Sequence, residues 1–402
     1  MAYVSVTGGR EAIREASKLV HHYRLEGSDE SISVTAIEKQ LRLLVDRIQS
    51  EGGMYAPEHA ALALKQAEGD PSEAAFLVRA YRSTLPRNHY STTVEPAGMR
   101  VIRRISSSFR DMPGGQVLGP TYDYTHRMLN FDLRREGAAE LERFAEEYLN
   151  GVSPADGEEG VSEAETAPLT FRKVTDLLRE QGLMARTRKG GPEPDEAVPF
   201  DITRQKLTVP SERSARLQAL ARGETGAMTA LAYSSMRGYG VVHPTIGELR
   251  VGYCGVHIPH PYASDEENDA VYIGEMMLTE VETINSFTQS KQSGDVHFVL
   301  GYGLCFGQNE VKAISMAILE RSLETQGSAP AQDEEFVLLH IDNVESSGFV
   351  SHLKLPHYIT FQSSLDRIRS VQQRVHSAGK EEAVHASNND AETKAGLQPA
   401  RV

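Results

Sequence analysis

Cysteine is nearly missing: Cys254 and Cys305 are the only two in 402 residues. Two thiols exclude a disulfide scaffold and a four-cysteine zinc site, and so few of them fit a reducing, cytoplasmic setting. There is no run of about 18 apolar residues, which excludes a transmembrane helix. The N-terminus, MAYVSVTGGREAIREA, lacks the basic start and apolar core of a secretory signal. Basic excess is lacking too. Lys and Arg number 42 against 56 Asp and Glu, a net charge of −14. That balance argues against nonspecific nucleic-acid binding. It does not exclude a small polyanion, because a local group of arginines can dominate one pocket.

What is present is a globular composition, 40% hydrophobic and 24% charged. The length exceeds the roughly 250–300 residues at which single cores stop growing, so two domains are expected. The pattern predicts an α+β fold: a helical N-terminal region, then a mixed α/β region with short strands and glycine-rich loops. Apolar positions at Ile37, Leu41, Leu44, Val45 and Ile48 predict a helix within 32–48. Further helices are expected over 60–67 and 72–81, separated by the stop-and-start signal Gly69-Asp70-Pro71. Residues 99–109 read as a strand or short helix and 137–149 as a helix. The stretch 151–166 is acidic and poor in large apolar residues, as an exposed linker would be. Strands are expected over 249–256, 270–273, 296–300 and 336–341, with helices over 308–322 and 365–375. The division is therefore 1–150 as a mainly helical domain, 151–168 as linker, 169–378 as an α+β domain and 379–402 as a disordered tail.

Five places carry chemistry. His352 and His357 bracket Leu-Lys-Leu-Pro, and Pro356 can turn the chain so that both imidazoles meet. Imidazole is the commonest metal ligand and zinc takes four donors, so the pair is half a site. The rest would come from Asp342, Glu345, His340, water or another chain; two surface histidines beside a turn is the alternative. In MPGGQVLGPTYDYTHR, glycines permit close backbone approach and Asp123 lies near His126 and Arg127. In RGYGVVHPTIGELRVGY, Arg237 and Arg250 suit bidentate anion recognition, and His243 and Glu248 are acid–base candidates beside Tyr239. GYGLCFGQNEVKAISMA reads as a glycine-rich turn entering a helix, whose free amides and Lys312 would favour an anion. It lacks the lysine-containing ending of a Walker loop. Glu275 and Glu282 are seven apart and would share one face of a helix.

These blocks resemble the PhnI family, the I subunit of the bacterial carbon–phosphorus lyase core complex. The likeness rests on MPGGQVLGPTYDYTHR, RGYG-x-x-HP-x-x-GE-x-R-x-GY, GYGL-x-FG and QDEEFVL-x-H-x-DNVE-x-x-GFVSHLKLPHY. It runs from near Gly8 to about Gln362 and also includes LALKQAEGD. The acidic insert and the tail after about residue 376 depart from it.

The resemblance implies transfer of the ribose 5-triphosphate of ATP from adenine to a phosphonate such as methylphosphonate, with adenine leaving. It implies purine nucleosidase behaviour on ATP and GTP when the subunit is alone. It further implies G, H, J, L and K partner subunits and a central pair of I subunits. A zinc shared with the J subunit would fall on His352 and His357. No iron–sulfur cluster is expected in this chain, which has no cysteine triplet. An oxocarbenium-like transition state calls for a carboxylate and an acid for the leaving base. Asp123 and Glu248 are the carboxylate candidates; His126 and His243 are the acid candidates. Arg127, Arg237, Arg250 and Lys312 would neutralise triphosphate and phosphonate, with magnesium on the triphosphate. Two alternatives are a scaffold that completes partner sites and a stand-alone histidine-based metallohydrolase.

Overall fold

The computed structural model describes residues 9–27, 29–151, 171–184, 199–237, 244–260, 262, 270–289 and 296–395. The chain divides into two units, one formed by residues 24–346 and the other by 1–23 with 347–402. The acidic segment 152–166 and the loop 186–196 lie outside the described residues.

The smaller unit contains α1 (Arg10–Tyr23) and, near the other end of the chain, a single long helix. In the larger unit, α2 (Val34–Gln40), α3 (Arg42–Gly52), α4 (Pro57–Gln66) and α5 (Pro71–Thr84) come first. They close on Ile37, Val45, Ile48, Leu64, Val78 and a set of small alanines. Ser33 starts α2 by accepting from the Ala36 amide at 3.0 Å, and Asp70 starts α5 by accepting from Ser72 at 2.8 Å. One helix is predicted over 32–48, but Leu41 leaves helical geometry (φ −109°, ψ 35°) and divides it in two. The division makes Arg42 and Leu43 the first residues of a new helix.

β1 (Arg100–Ile105), the helices α6 (Ala138–Gly151), α7 (Val174–Glu180), α8 (Arg213–Ala221) and α9 (Thr225–Arg237), then β2 (Thr245–Ile258), β3 (Val271–Gln289) and β4 (Val296–Phe306) follow. The strands form an antiparallel sheet in the order β1-β2-β3-β4. Strand period is two, so odd and even positions separate onto opposite faces. Leu249, Val251, Val281 and Cys305 form an apolar face under α10 (Glu310–Leu323), which contributes Ala313 and Ala317. The other face carries Glu248, Arg250, Glu280 and Glu282, all buried. Glu280 is paired in register with Arg250 and Glu282 with Glu248.

Four more expectations are corrected here, the last of them in part. Gly301-Tyr302-Gly303 is strand, not a turn: it lies inside β4, and the turn before α10 is at 307–309. Gly303 is needed for packing, since a Cβ there would lie 2.1 Å from the Ala313 carbonyl oxygen. Gly303→Ala is therefore expected to cost at least about 2 kcal/mol, because backbone cannot move aside as a side chain would. A lowered urea midpoint with unchanged slope would show it. Next, Glu275 and Glu282 belong to strand β3, where an odd spacing puts them on opposite faces.

Residues 336–341, read as a strand, form α11 (Glu334–His340). A short apolar run does not distinguish strand from helix by period. Here Asp333 decides, accepting from the Phe336 amide at 2.9 Å, and Val337, Leu338 and Ile341 bury one helical face. α12 (Asn343–His352) and α13 (Tyr358–Ala395) complete the chain. The disordered tail is corrected in part: helix continues through 379–395, and 396–402 lie outside the described residues.

Candidate functional site

Two of the helices in the larger unit begin at the same cleft. Arg42 and Leu43 open α3, Asn309 to Lys312 open α10, and the loop Pro120 to Asp123 with Arg127 forms the facing wall. Arg47, Thr225 and Gln308 complete the lining of a volume of about 270 Å³. Helix N-termini present unpaired amides and partial positive charge. Asn309 gives α10 no side-chain cap, so its first amides remain available.

Arginine adds full charges to these partial ones. Arg42 donates to the Gln308 amide oxygen rather than to a carboxylate. Arg47 is held by Glu51 at 2.8 Å and by Glu224 at 2.5 Å, and Arg127 reaches Asp123 at 3.5 Å. Behind the wall, fully buried Arg103 binds the Asp123 carboxylate and, at 2.9 Å, Glu310. Asp123 itself is 44% exposed, a carboxylate fixed by two guanidiniums yet open to the cleft. The turn before α10 is fixed from beneath: the Gln308 amide donates to Asp46 at 2.9 Å, and Asn309 donates to the Asp46 carbonyl. Gly307 adopts φ +70° against Asp46, where a Cβ would clash.

Lys312 is buried, with Nζ donating to Ser50 Oγ at 2.7 Å. Burial lowers its ammonium from the usual range to about 8, a fall that the nearby Cys305 and Glu51 only partly oppose. Between about pH 8 and 10.5 the unfolded chain thus binds more protons than the folded one at this position. Lys312 accordingly adds stability as pH rises through that window and removes it as pH falls. Lys312→Met is expected to erase this slope, at most about 1.4 kcal/mol per pH unit. Urea midpoints of both proteins between pH 7.5 and 10 would check it.

Of the residues singled out by sequence, Asp123, Arg127 and Lys312 meet at the cleft. His126 is exposed and does not line it. Glu248 and Arg250 lie on the buried charged face of the sheet. Arg104 Nε donates to Glu248 at 2.6 Å, and the Val174 amide occupies its second oxygen at 2.9 Å. Arg250 is committed to Glu280, which also accepts from Lys173 at 2.6 Å. Burial opposes charge on Glu280, but Arg250 and Lys173 outweigh it and hold the carboxyl below its usual range. Glu282 goes the other way, pushed up first by burial, with Lys173 only partly compensating. Arg237 closes α9 at an exposed position. Tyr239 and His243 lie outside the described residues.

Sequence reasoning missed Arg42, Arg47, Arg103 and Gln308. The helix expected over 32–48 contains Arg42 and Arg47 without setting them apart from its other polar positions. The break at Leu41 that brings Arg42 to the cleft has no glycine or proline to announce it.

In the smaller unit the Pro356 turn brings the two histidines together, with ring centroids 5.4 Å apart. Two imidazoles on one tetrahedral zinc stand about 5 Å apart by this measure, given nitrogen–metal distances near 2.0–2.1 Å. His357 Nδ1 lies 2.6 Å from the Leu355 carbonyl and His352 Nδ1 bonds the Phe349 carbonyl. A proton on each Nδ1 leaves Nε2 as the free donor, the arrangement a ligating histidine uses. The pair fits a metal. Asp342 accepts from Arg79 Nη1 on both carboxylate oxygens, and among the described residues no third ligand joins a metal-sized group.

The family "Bacterial phosphonate metabolism protein (PhnI)" matches residues 2–375. HtxH of Stutzerimonas stutzeri, provisionally named a C-P lyase subunit protein, is 47% identical over 381 residues, covering 93% of this chain and 97% of its own. The alpha-D-ribose 1-methylphosphonate 5-triphosphate synthase subunit PhnI of Escherichia coli K12 is 46% identical over 377 residues, 92% of this chain and 98% of that one. The subunit of the same name from Rhizobium meliloti is 42% identical over 384 residues, 94% and 96% of the two chains.

Proposed function

The chain belongs to the PhnI family of bacterial phosphonate-metabolism proteins, and from that premise we propose that its cleft binds the triphosphate of ATP and holds the ribose beside Asp123. It is a subunit of the carbon–phosphorus lyase system and takes part in alpha-D-ribose 1-methylphosphonate 5-triphosphate synthesis. The reaction breaks the glycosidic carbon–nitrogen bond of ATP and forms a bond from the same carbon to a phosphonate oxygen, releasing adenine. Two polyanions must approach one another for this, so a site for it needs surplus positive charge.

The carrying observation is the convergence of Arg42, Arg47 and Arg127 with the starts of α3 and α10 around one exposed carboxylate. Guanidiniums and helix amides bind the phosphate oxygens. Asp123, aligned by Arg103 and Arg127, faces the ribose and stabilises positive charge developing at its anomeric carbon. Magnesium would ride on the triphosphate; no residue pattern in the chain requires it. His126 and His243 remain the acid candidates for the departing base. Glu248 and Arg250, both buried in ion pairs, fit a structural role better than a catalytic one.

His352 and His357 would hold a zinc completed by ligands from the J subunit, joining the subunits rather than entering the ribosyl transfer. Substituting both by alanine is expected to abolish zinc co-purifying with the complex and to weaken J association at least tenfold, with adenine release intact. Metal analysis and size-exclusion chromatography of the complex read this out. The G, H, L and K subunits are the further partners, around a central pair of I subunits. None of the described helices is long and apolar enough to cross a membrane; the proposed location is the cytoplasm.

The test of the reading is adenine release from ATP or GTP, with and without methylphosphonate and the partners. Release by the chain alone, diverted to the ribosyl phosphonate by partners and substrate, supports it. If no condition releases adenine above the level of an Asp123→Asn protein, the chain is a scaffold and the chemistry lies elsewhere.

A further inference from the structure

A second cavity of the larger unit shares no lining residue with the cleft. It is small, about 220 Å³, and mostly apolar. Met276, Leu278, Leu304 and Phe306 supply one wall from β3 and β4, and Val94 and Pro96 close it at one side. Ser50 and Gly53 at the end of α3, and Arg222 at the end of α8, stand opposite.

Arg222 sits in a crowd of like charge. Arg79 and Arg82 are near enough that, with burial as the larger cause, they lower its guanidinium to about 10. Arg79 holds Asp342 and the Glu51 carbonyl while its Nε is buried without a partner, and Arg82 holds the Gly53 carbonyl at 2.9 Å. The Arg222 side chain makes no hydrogen bond or ion pair among the described residues, and its Nε is buried without a partner. Its two Nη groups, equally without a partner among the described residues but not closed off, are the donors that a ligand in the cavity can meet. Gly53 leaves room for it: a Cβ there would lie 2.7 Å from Arg222 Cδ and 2.5 Å from Arg82 Nη1.

We propose that this cavity binds a small organic anion, its apolar body against Met276, Leu278, Leu304 and Phe306 and its charged head on Arg222. The volume is below the roughly 300 Å³ of drug-sized pockets, which limits the body to one ring or a short alkyl chain. A bare inorganic anion would satisfy the guanidinium but leave the apolar wall uncovered. An uncharged hydrocarbon would do the reverse. The head is a phosphonate or a carboxylate, since either presents two oxygens to the planar donor fork.

Calorimetric titration of the purified chain with phenylphosphonate, benzoate and inorganic phosphate tests this. At least one organic anion should bind saturably and at least tenfold more tightly than phosphate; the tighter of the two identifies the head group. Arg222→Met should weaken that binding more than tenfold and Arg222→Lys should restore part of it. Met276→Gln should weaken it through the wall alone, and Asp123→Asn in the separate cleft should leave it unchanged. Absence of saturable binding, equal affinity for phosphate, or loss of binding in Asp123→Asn but not in Arg222→Met would each overturn the proposal.

Discussion

Asp123→Asn is expected to reduce adenine release from ATP by about 10²–10³-fold, the range seen when one preorganised charge-stabilising group is removed. The effect should fall on kcat. Asp123 repels the triphosphate in the ground state, and its removal releases Arg103 and Arg127 from a carboxylate partner. KM for ATP should therefore stay level or decrease, the pattern of an interaction made mainly in the transition state. Arg42→Met gives the opposite split. Arg42 has an amide partner and no substrate chemistry, so its loss should raise KM about tenfold and leave kcat nearly alone. Single-turnover and steady-state adenine release on both proteins separate the two roles. If Asp123→Asn instead raised KM with kcat untouched, the carboxylate would be a binding residue and the oxocarbenium role would pass to another group.

The sequence showed its helices and strands where local signals agreed with tertiary packing. The Gly69-Asp70-Pro71 junction announced a helix boundary that the structure keeps. The antiparallel β2–β3–β4 strands were foreseen in pieces but not in length, because buried ionic residues such as Glu248, Arg250 and Glu280 interrupt the apolar alternation that marks a strand. Of these, Glu248 drew attention as a catalytic candidate and Arg250 as an anion-binding one. Charge in an apolar context reads as chemistry from sequence, and only pairing across strands reveals Arg250 facing Glu280. The cleft was legible by half. Asp123, Arg127 and Lys312 stood in glycine-rich or helix-start motifs, whereas Arg42 and Gln308, 266 positions apart, are joined by the tertiary fold alone. Gly303 shows the reverse error, a glycine attributed to phosphate binding whose constraint is the approach of α10.

The second large effect concerns stability. Arg104 is fully buried, and three separate pieces of chain depend on it. Its Nε holds Glu248 at 2.6 Å, Nη1 donates to the Pro113 and Gly115 carbonyls at 2.7 and 3.0 Å, and Nη2 donates to the Arg172 carbonyl at 3.0 Å. Its guanidinium also lies 4.7 Å over the Phe171 ring. Arg104→Met leaves Glu248 charged and buried with only the Val174 amide, which should cost about 3–5 kcal/mol. Most of that cost comes from the stranded charge rather than from the lost attraction. Removing both ions, Arg104→Met with Glu248→Leu, should accordingly recover at least half of the deficit, since apolar replacement of a buried pair is often neutral. Urea unfolding of the wild type, both single variants and the double variant gives the coupling directly. A double variant no more stable than Arg104→Met would mean that the carbonyl contacts to 113–115 and 172 dominate and Glu248 is incidental. The same four proteins, assayed for adenine release at a temperature where all are folded, decide whether Glu248 has any part in the chemistry. Activity in the double variant within about threefold of wild type would confine it to the architecture.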